Sequence, residues 1–330
     1  MISLTLSSYS TKYLHNPSTS VRLCISCKLA LNLLIDKAHV FLEEVVPQVN
    51  LARKLFLSST KAMAIESAHG LAFHNGLGNS LYSASTNLFT KYVDATRIEE
   101  FSSAAYAVPN ISLAANGVDH SELSKWIDEF YAKSPSPSQA ALKLPEGSSS
   151  KYFGGEERIS HGSGNTIALA FPGSSTFTGN AYKPEIAVLA SLLGGKSTIK
   201  WSPGFSLLSK AATEHPGVFV DTKSAIYSDA GLLYTVIDGP AEAVSSMANA
   251  AVSAIKDIAS GKVSKEDYQK AVAHAKFVEL EYGSNIQAGL ELTGTGLLSN
   301  NNAYQLDETA KAIGNVTKDQ AEKVSQVLVC

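Results

Sequence analysis

The sequence is organised around residues 223–238, Lys-Ser-Ala-Ile-Tyr-Ser-Asp-Ala-Gly-Leu-Leu-Tyr-Thr-Val-Ile-Asp. Residues 218–220 and 224–227 are predicted to form one strand, and residues 232–237 the next. The residues between them are typical of a turn, in which Gly231 is free to take a positive φ. Because residues 232–237 are apolar on both faces, the second strand should lie in the centre of a sheet that helices cover.

The second half of the chain supplies the elements that should pack on this strand pair. Pro240 suits the first turn of a helix, and Ser264 and Thr317 are candidate N-caps of two further helices. Predicted strands cover residues 157–161 and 165–171, and predicted helices cover residues 184–193, 205–213, 240–260, 265–282, 285–298, 306–313 and 318–330.

The first half predicts mostly helices. Residues 38–59 carry apolar side chains at helical spacing, and Pro47 in the middle should kink or divide that helix. A second helix is predicted at residues 60–73, and a glycine-rich stop follows it. Further elements are a helix that begins at the capping box Thr96-x-x-Glu99, a strand at residues 111–115 and a helix capped by Asp119.

The composition of the chain predicts its domain organisation. Residues 134–150 are rich in proline and serine and should be a linker between a partial first domain, residues 38–133, and a second domain, residues 151–330. Residues 1–20 are crowded with serine and threonine, and residues 1–37 contain no acidic residue before Asp36. They resemble a transit peptide only weakly, so we expect a disordered leader or an artefact of gene prediction.

A faint internal repeat indicates that the two domains are duplicates. Thr96 and Thr317 each begin a capped helix with similar apolar spacing. In the first half a strand and a helix follow, whereas in the second half the chain stops. By this parallel the second domain is expected to lack its last strand. The first domain has only one convincing strand and is expected to be incomplete at its front.

Charge and hydropathy exclude two classes of partner. The formal net charge is −3 over 330 residues, and no basic stripe with interleaved aromatic residues occurs, so a nucleic-acid partner is not expected. No apolar run is long enough to cross a bilayer. A role at a membrane would therefore require other subunits to hold the chain there.

Candidate chemical motifs have structural explanations. Cys24 and Cys27 form a C-x-x-C without a second pair or a histidine at zinc-ligand spacing. His69 and His74 are five residues apart, whereas zinc ligands on a helix prefer an offset of four and need a third ligand, so structural histidines are expected. The run Gly-Gly-Lys-Ser-Thr at residues 194–198 imitates a phosphate-binding loop, but it follows a helix and lacks the first glycine. It is expected to end that helix.

The motifs of known hydrolases are also missing from the sequence. It contains no H-E-x-x-H, no H-x-x-E-H and no G-x-S-x-G, since Gly162-Ser163-Gly164 is only a loop. Glu43 and Glu44 share a helix but have no histidine pair to join them at a metal. A triad drawn from the eight scattered histidines stays open, although no pattern points to one. The sequence therefore assigns no catalytic, cofactor-binding or metal-binding residue.

Four stretches carry a resemblance to a known family. They are His39-Val-Phe-Leu-Glu-Glu-Val-Val-Pro47, Glu66-Ser-Ala-His-Gly-Leu-Ala-Phe73 with Gly76-Leu-Gly-Asn79, Ile226-Tyr-Ser-Asp-Ala-Gly-Leu-Leu233, and residues 194–204. These stretches resemble the core protein 2 (subunit 2) family of the mitochondrial cytochrome bc1 complex, in its fungal form. That family lies in the peptidase M16, pitrilysin-like superfamily, and the resemblance runs from residue 38 to the end.

The resemblance implies a fold and a role. The fold would be α+β, with duplicated M16-like domains that are two-layer α/β sandwiches, the first of them incomplete. Active members carry an inverted zinc motif, in a region that would precede residue 38. They also use a glutamate on the helix that here contains Pro47. Pro47 favours a non-catalytic member with no catalytic, cofactor or metal site.

The resemblance also implies partners and a location. The chain would be a structural core subunit of the mitochondrial ubiquinol–cytochrome c reductase, complex III, paired with core protein 1. It would lie on the matrix side of the inner membrane, peripheral to it, without nucleic acid, a small-molecule substrate or a cofactor. The alternative is a fragment of a mitochondrial processing peptidase subunit, which takes part in zinc-dependent presequence cleavage.

Overall fold

The computed structural model describes residues 41–82, 96–97, 100–101, 115, 117–131, 150–177, 179, 181–195, 204–300 and 303–329. The chain divides into two compact units, one formed by residues 1–53 and 83–146 and the other by residues 54–82 and 147–330. The predicted leader, most of the linker and residues 111–114 of the strand predicted at 111–115 lie outside the described residues.

The second unit contains a three-stranded antiparallel sheet. Its strands are β1 (Asn165–Pro172), β2 (Phe219–Ile226) and β3 (Gly231–Gly239), in the order β1-β3-β2. Strand β3 pairs along its whole length with both neighbours, so Leu233 lies opposite Phe171 on one side and Ser224 on the other. This confirms the prediction that residues 232–237 form a central strand.

Gly231 belongs to the strand and does not use the positive φ that is open to a glycine. Its φ is not in the positive range, and it is the first residue of β3. A Cβ at this position would overlap the carbonyl oxygen of Ser174 and lie 2.7 Å from the carbonyl carbon of the same residue. Gly231 is therefore required by a close approach of two backbone segments and not by turn geometry.

Most of the predicted helices form close to their predicted bounds. Pro184–Leu193 agrees at both ends, and the helix that follows Ser264 begins at Lys265 because the Ser264 hydroxyl accepts a hydrogen bond from the Asp267 amide. The helices are α1 (Val46–Ser58), α2 (Thr60–Phe73), α3 (His120–Tyr131), α4 (Pro184–Leu193), α5 (Leu207–Ala212), α6 (Ala241–Ala259), α7 (Lys265–Ser284), α8 (Ile286–Asn300), α9 (Leu306–Gly314) and α10 (Lys318–Val329).

Helices cover both faces of the sheet. On one face, Ala168 and Ala170 of β1 and Leu232 of β3 pack with Ala72 and Phe73 of α2. The alternate side chains of the same strands point to the opposite face. There they join the main core with α4, α6, α7 and α10, whose centre is fully buried and includes Leu189, Leu192, Ile237, Met247 and Ala271. The architecture is α+β, as expected.

One predicted strand does not form. Residues 157–161 pair with no strand, and residues 156–160 are exposed. Their side chains hydrogen-bond locally or to the helices: Glu157 accepts from Ser67, and His161 Nε2 contacts the Leu57 carbonyl at 2.7 Å. The prediction of a strand at residues 157–161 is wrong, because these contacts hold the segment against α1 and α2 and not against a strand.

Pro47 marks a change of helix type. A π-helical turn at Phe41–Val45 precedes α1, whose second residue is Pro47. Proline has no N–H to donate to a carbonyl in the preceding turn, which agrees with the predicted division of this helix.

In the first unit, Asp119 caps α3 by accepting a hydrogen bond from the Ser121 amide at 2.8 Å. The Thr96-x-x-Glu99 box lies partly outside the described residues.

Candidate functional site

The hairpin signature Tyr227-Ser-Asp-Ala-Gly231 is the point at which separate segments of the second unit join. The Tyr227 carbonyl accepts a hydrogen bond from the Thr176 amide at 2.9 Å, and Tyr227 forms a parallel bridge with Ser175. The Gly173 amide donates to the Gly231 carbonyl at 2.8 Å. The segment that follows β1 is therefore attached to the hairpin along its backbone.

Asp229 attaches a second segment to the hairpin. Its carboxylate accepts hydrogen bonds from the Ser150 amide at 2.8 Å and from the Ser150 hydroxyl at 3.3 Å. The sequence suggested that Ser228 and Asp229 shape the turn. The structure gives Asp229 a longer-range role, because it fixes the chain where the second half begins.

His69 attaches α2 to the same hairpin. Its Nδ1 lies 2.8 Å from the Ile65 carbonyl oxygen, which can only accept, so Nδ1 is the donor in this hydrogen bond. Nε2 then accepts a hydrogen bond from the Tyr227 hydroxyl at 2.8 Å. Both ring nitrogens have partners inside the fold, as expected of a structural histidine.

Aromatic rings surround this hydrogen bond. The ring of His69 meets Tyr227 and Tyr234 edge-on, at centroid distances of 5.9 and 6.2 Å, and Phe73 meets Tyr227 at 6.5 Å. Burial raises the pKa of both Tyr227 and Tyr234, so their hydroxyls stay protonated near neutral pH. A protonated phenol serves here as a hydrogen-bond donor, not as an acid or a base.

The other residues that the sequence singled out do not come together. Gly194 has φ 58° and its amide donates to the Ala190 carbonyl, so it ends α4, and residues 196–198 lie outside the described residues. His74 lies at the end of α2 and contacts Phe153. Cys24, Cys27 and Cys330 lie outside the described residues.

One serine–histidine pair was not predicted. Ser163 Oγ lies 2.9 Å from His161 Nδ1 in an exposed loop, but His161 Nε2 contacts the Leu57 carbonyl. No carboxylate orients this imidazole, as a catalytic triad requires, in the hydrogen bonds of the described residues. Within the same residues, no group of three or more histidine, cysteine, aspartate or glutamate side chains could hold a metal ion.

None of the helices in the described part of the chain is both long enough and apolar enough to cross a bilayer.

Comparison with known proteins assigns the family. The model of the family described as peptidase M16 inactive domain matches residues 92–274, which is more than half of the chain. The chain belongs to the peptidase M16 inactive domain family. The match starts well before the predicted linker, so the family's characteristic sequence spans both predicted domains.

Two curated relatives of this M16 inactive-domain protein have the same name. It is 40% identical over 268 residues to the mitochondrial cytochrome b-c1 complex subunit 2 of Neurospora crassa, an alignment that covers 81% of this chain and 58% of that protein. It is 31% identical to the protein of the same name from Yarrowia lipolytica, and that alignment covers 78% of this chain and 58% of the relative. The chain thus spans somewhat more than half the length of these two curated relatives.

A solved structure shows the same fold. A chain of complex III2 from Candida albicans with Inz-5 bound superposes with a TM-score of 0.70 at 17% identity, over 90% of this M16 chain and 70% of that chain. At this level of identity the match speaks for the fold alone.

Proposed function

We propose that this chain is a non-catalytic structural core subunit of the mitochondrial ubiquinol–cytochrome c reductase, of the core protein 2 type. It supports assembly of the complex and pairs with core protein 1. The observation that carries the proposal is the 40% identity to the Neurospora crassa subunit 2 over 81% of the chain. The relatives' names favour this role over that of a processing peptidase subunit.

The structure supports a scaffolding role for the family signature. Tyr227, Asp229 and Gly231 each join the hairpin to another segment, through His69, Ser150 and Ser174. Each of these residues therefore has a structural contact that accounts for its place in the signature. We propose that no catalytic, cofactor-binding or metal-binding residue operates in this chain.

We also propose that the chain lies on the matrix side of the mitochondrial inner membrane, peripheral to the bilayer. It is held there by contacts with the other subunits and not by a span of its own. This placement agrees with the mitochondrial location in the names of its relatives.

The domain division at residues 38–133, 134–150 and 151–330 also remains a proposal. Residues 54–82 belong to the first domain in this division, although they form one compact unit with residues 147–330.

The test uses the chromosomal gene with a C-terminal affinity tag. Mitochondria are solubilised in a mild detergent, the tagged product is purified, and native electrophoresis compares its migration with that of cytochrome b. We expect co-migration with complex III, loss of the complex when the gene is deleted, and no stoichiometric zinc. A tagged product that migrates apart from cytochrome b, binds zinc and cleaves presequences would overturn the proposal.

A further inference from the structure

The outer surface of α7 and α8 is apolar and has no partner element in the described part of the chain. The side chains of Phe277, Val278 and Tyr282 on α7 are 59%, 46% and 53% exposed, and Ile286, the first residue of α8, is 62% exposed. Four large apolar side chains within ten residues are unusual on a surface that meets only water. We call these four residues the α7–α8 surface.

The inner side of α7 is already occupied. Tyr268, Ala271 and Ala275 are buried, and the helix packs against α4 and α9. Val278 and Tyr282 are one helical turn apart, and Phe277 directly precedes Val278. These three exposed side chains therefore lie on the outward side of α7. Among the described helices and strands, α8 packs mainly on α7.

The α7–α8 surface is held in a fixed shape. Asn285, the single residue between the two helices, accepts a hydrogen bond on its side-chain oxygen from the Gln287 amide at 3.0 Å. Gly283 allows Leu306 to approach so closely that a Cβ would overlap its side chain, and the Tyr304 hydroxyl donates to Glu279. A preformed surface loses little conformational entropy when a partner binds.

The stretch that carries the surface has acidic side chains and no basic ones. No lysine, arginine or histidine occurs between Lys276 and Lys311. Glu281 lies one turn after Phe277 and is exposed, and Glu291 on α8 is also exposed. Burial raises the pKa of Tyr282, and the nearby charges of Glu291 and Glu279 contribute to that shift. The acidic residues of this stretch are Glu279, Glu281, Glu291, Asp307 and Glu308.

We infer that the α7–α8 surface is a docking site for a neighbouring subunit of the same complex, one that presents lysine or arginine side chains around an apolar stripe. The inference rests on the proposed function and adds the contact face and the chemistry of the partner. The carboxylates would pair with the basic rim, while Phe277, Val278 and Ile286 would be buried against the stripe.

Two other occupants fit the charge less well. A second copy that docked through the same patch would place Glu281 near its own symmetry mate, and like charges across an interface oppose association. An anionic lipid surface attracts basic segments and would repel these carboxylates. Charge therefore favours a basic, apolar partner protein.

The experiment uses the tagged full chain expressed in mitochondria that lack the native protein. Val278→Lys and Glu281→Lys place positive charge on the α7–α8 surface. Val252→Lys is the matched control, because Val252 is a 38% exposed valine on α6, outside the surface. We expect the surface variants to reduce the fraction that co-migrates with cytochrome b by about fivefold or more, and the control to stay within about twofold of wild type.

A photo-cross-linking amino acid at position 278 identifies the occupant. We expect it to attach to one subunit of the purified complex, in a peptide rich in lysine or arginine, and the same group at position 252 to miss that peptide. A thermal melt and a proteolysis profile of each variant distinguish lost docking from misfolding.

Two results would separate the inference from the proposed function. If the wild-type chain assembles and the surface variants assemble equally well, or the cross-link joins two copies or a lipid, the docking inference is wrong while the proposed function stands. If the wild-type chain itself does not assemble, the proposed function fails first.

Discussion

At the scale of single residues, the hairpin signature is explained by contacts with distant parts of the chain. Tyr227 donates to His69 on α2, Asp229 accepts from Ser150, and Gly231 gives room to Ser174. Each of these partners lies more than fifty residues away in the sequence. The motif therefore serves the assembly of the unit more than the turn that it contains.

Gly231→Ala should strongly destabilise the protein. The added Cβ would overlap the Ser174 carbonyl oxygen, so either the start of β3 or the segment after β1 must move. We expect a loss of about 3 kcal/mol in the free energy of unfolding, measured by chemical denaturation. In the control Gly154→Ala, the new Cβ meets no atom within 4 Å, and the change should stay within about 0.5 kcal/mol. Equal effects of the two changes would contradict the close approach.

Tyr227→Phe should lower the stability of the protein, whereas Tyr182→Phe should not. The first change removes the donor to His69 Nε2 and leaves a half-buried acceptor without a partner, at a cost of about 1 to 2 kcal/mol. The Tyr182 hydroxyl is buried and makes no hydrogen bond to the described residues. Its removal should be neutral or stabilising. Denaturation curves of both variants measure the difference, and a destabilising Tyr182→Phe would show that this hydroxyl is bonded in solution.

At the scale of elements, capping residues set the ends of the helices. Ser264 caps α7 through the Asp267 amide at 3.0 Å, and Thr317 and Gln320 form a reciprocal capping box at the start of α10. Both caps were readable in the sequence because their hydrogen bonds span only three residues. Gly194 ends α4 in the same local way, with a positive φ that favours glycine.

Ser264→Ala should cost about 1 kcal/mol, because the Asp267 amide in the first turn of α7 loses its hydrogen-bond acceptor. Ser253→Ala is a suitable control, since Ser253 is exposed in the middle of α6 and alanine has a higher helix propensity. The control should be neutral or slightly stabilising. Thermal and chemical denaturation measure both changes, and a neutral Ser264→Ala would mean that water replaces the cap.

At the scale of the whole molecule, α2 is a layer of the unit that contains the second half of the chain. It lies on the sheet face opposite the main core, where Ala68, Ala72 and Phe73 pack against Leu232 and its neighbours. At the start of α2, Thr166 lies between Thr60 and Asp238, which connects the helix to the ends of β1 and β3. Without α2, this face of the sheet would be open to water.

Ala72→Asp should detach α2 from the sheet. Ala72 is 3% exposed, and a carboxylate there would be buried without a partner, which costs about 3 kcal/mol or more. We expect trypsin to cut after Lys54 and Lys61 about tenfold faster, while cleavage within residues 204–300 changes less. Ala241→Asp is the control, because an exposed carboxylate in the first turn of α6 is favourable. If the cleavage rates of Ala72→Asp match those of wild type, α2 does not depend on this contact.

The sequence by itself determined the local structure: the hairpin and its central strand, most helix bounds, and the Ser264 and Thr317 caps. These features depend on periodicity, on glycine and proline, and on hydrogen bonds across three or four residues. Only the tertiary structure decided the rest. It placed residues 157–161 outside the sheet, gave Gly231 a packing role in place of a positive φ, and laid α2 on the sheet of the second half. The reason is physical, since these outcomes depend on which segments meet across more than fifty residues of chain, and a local pattern does not carry that information.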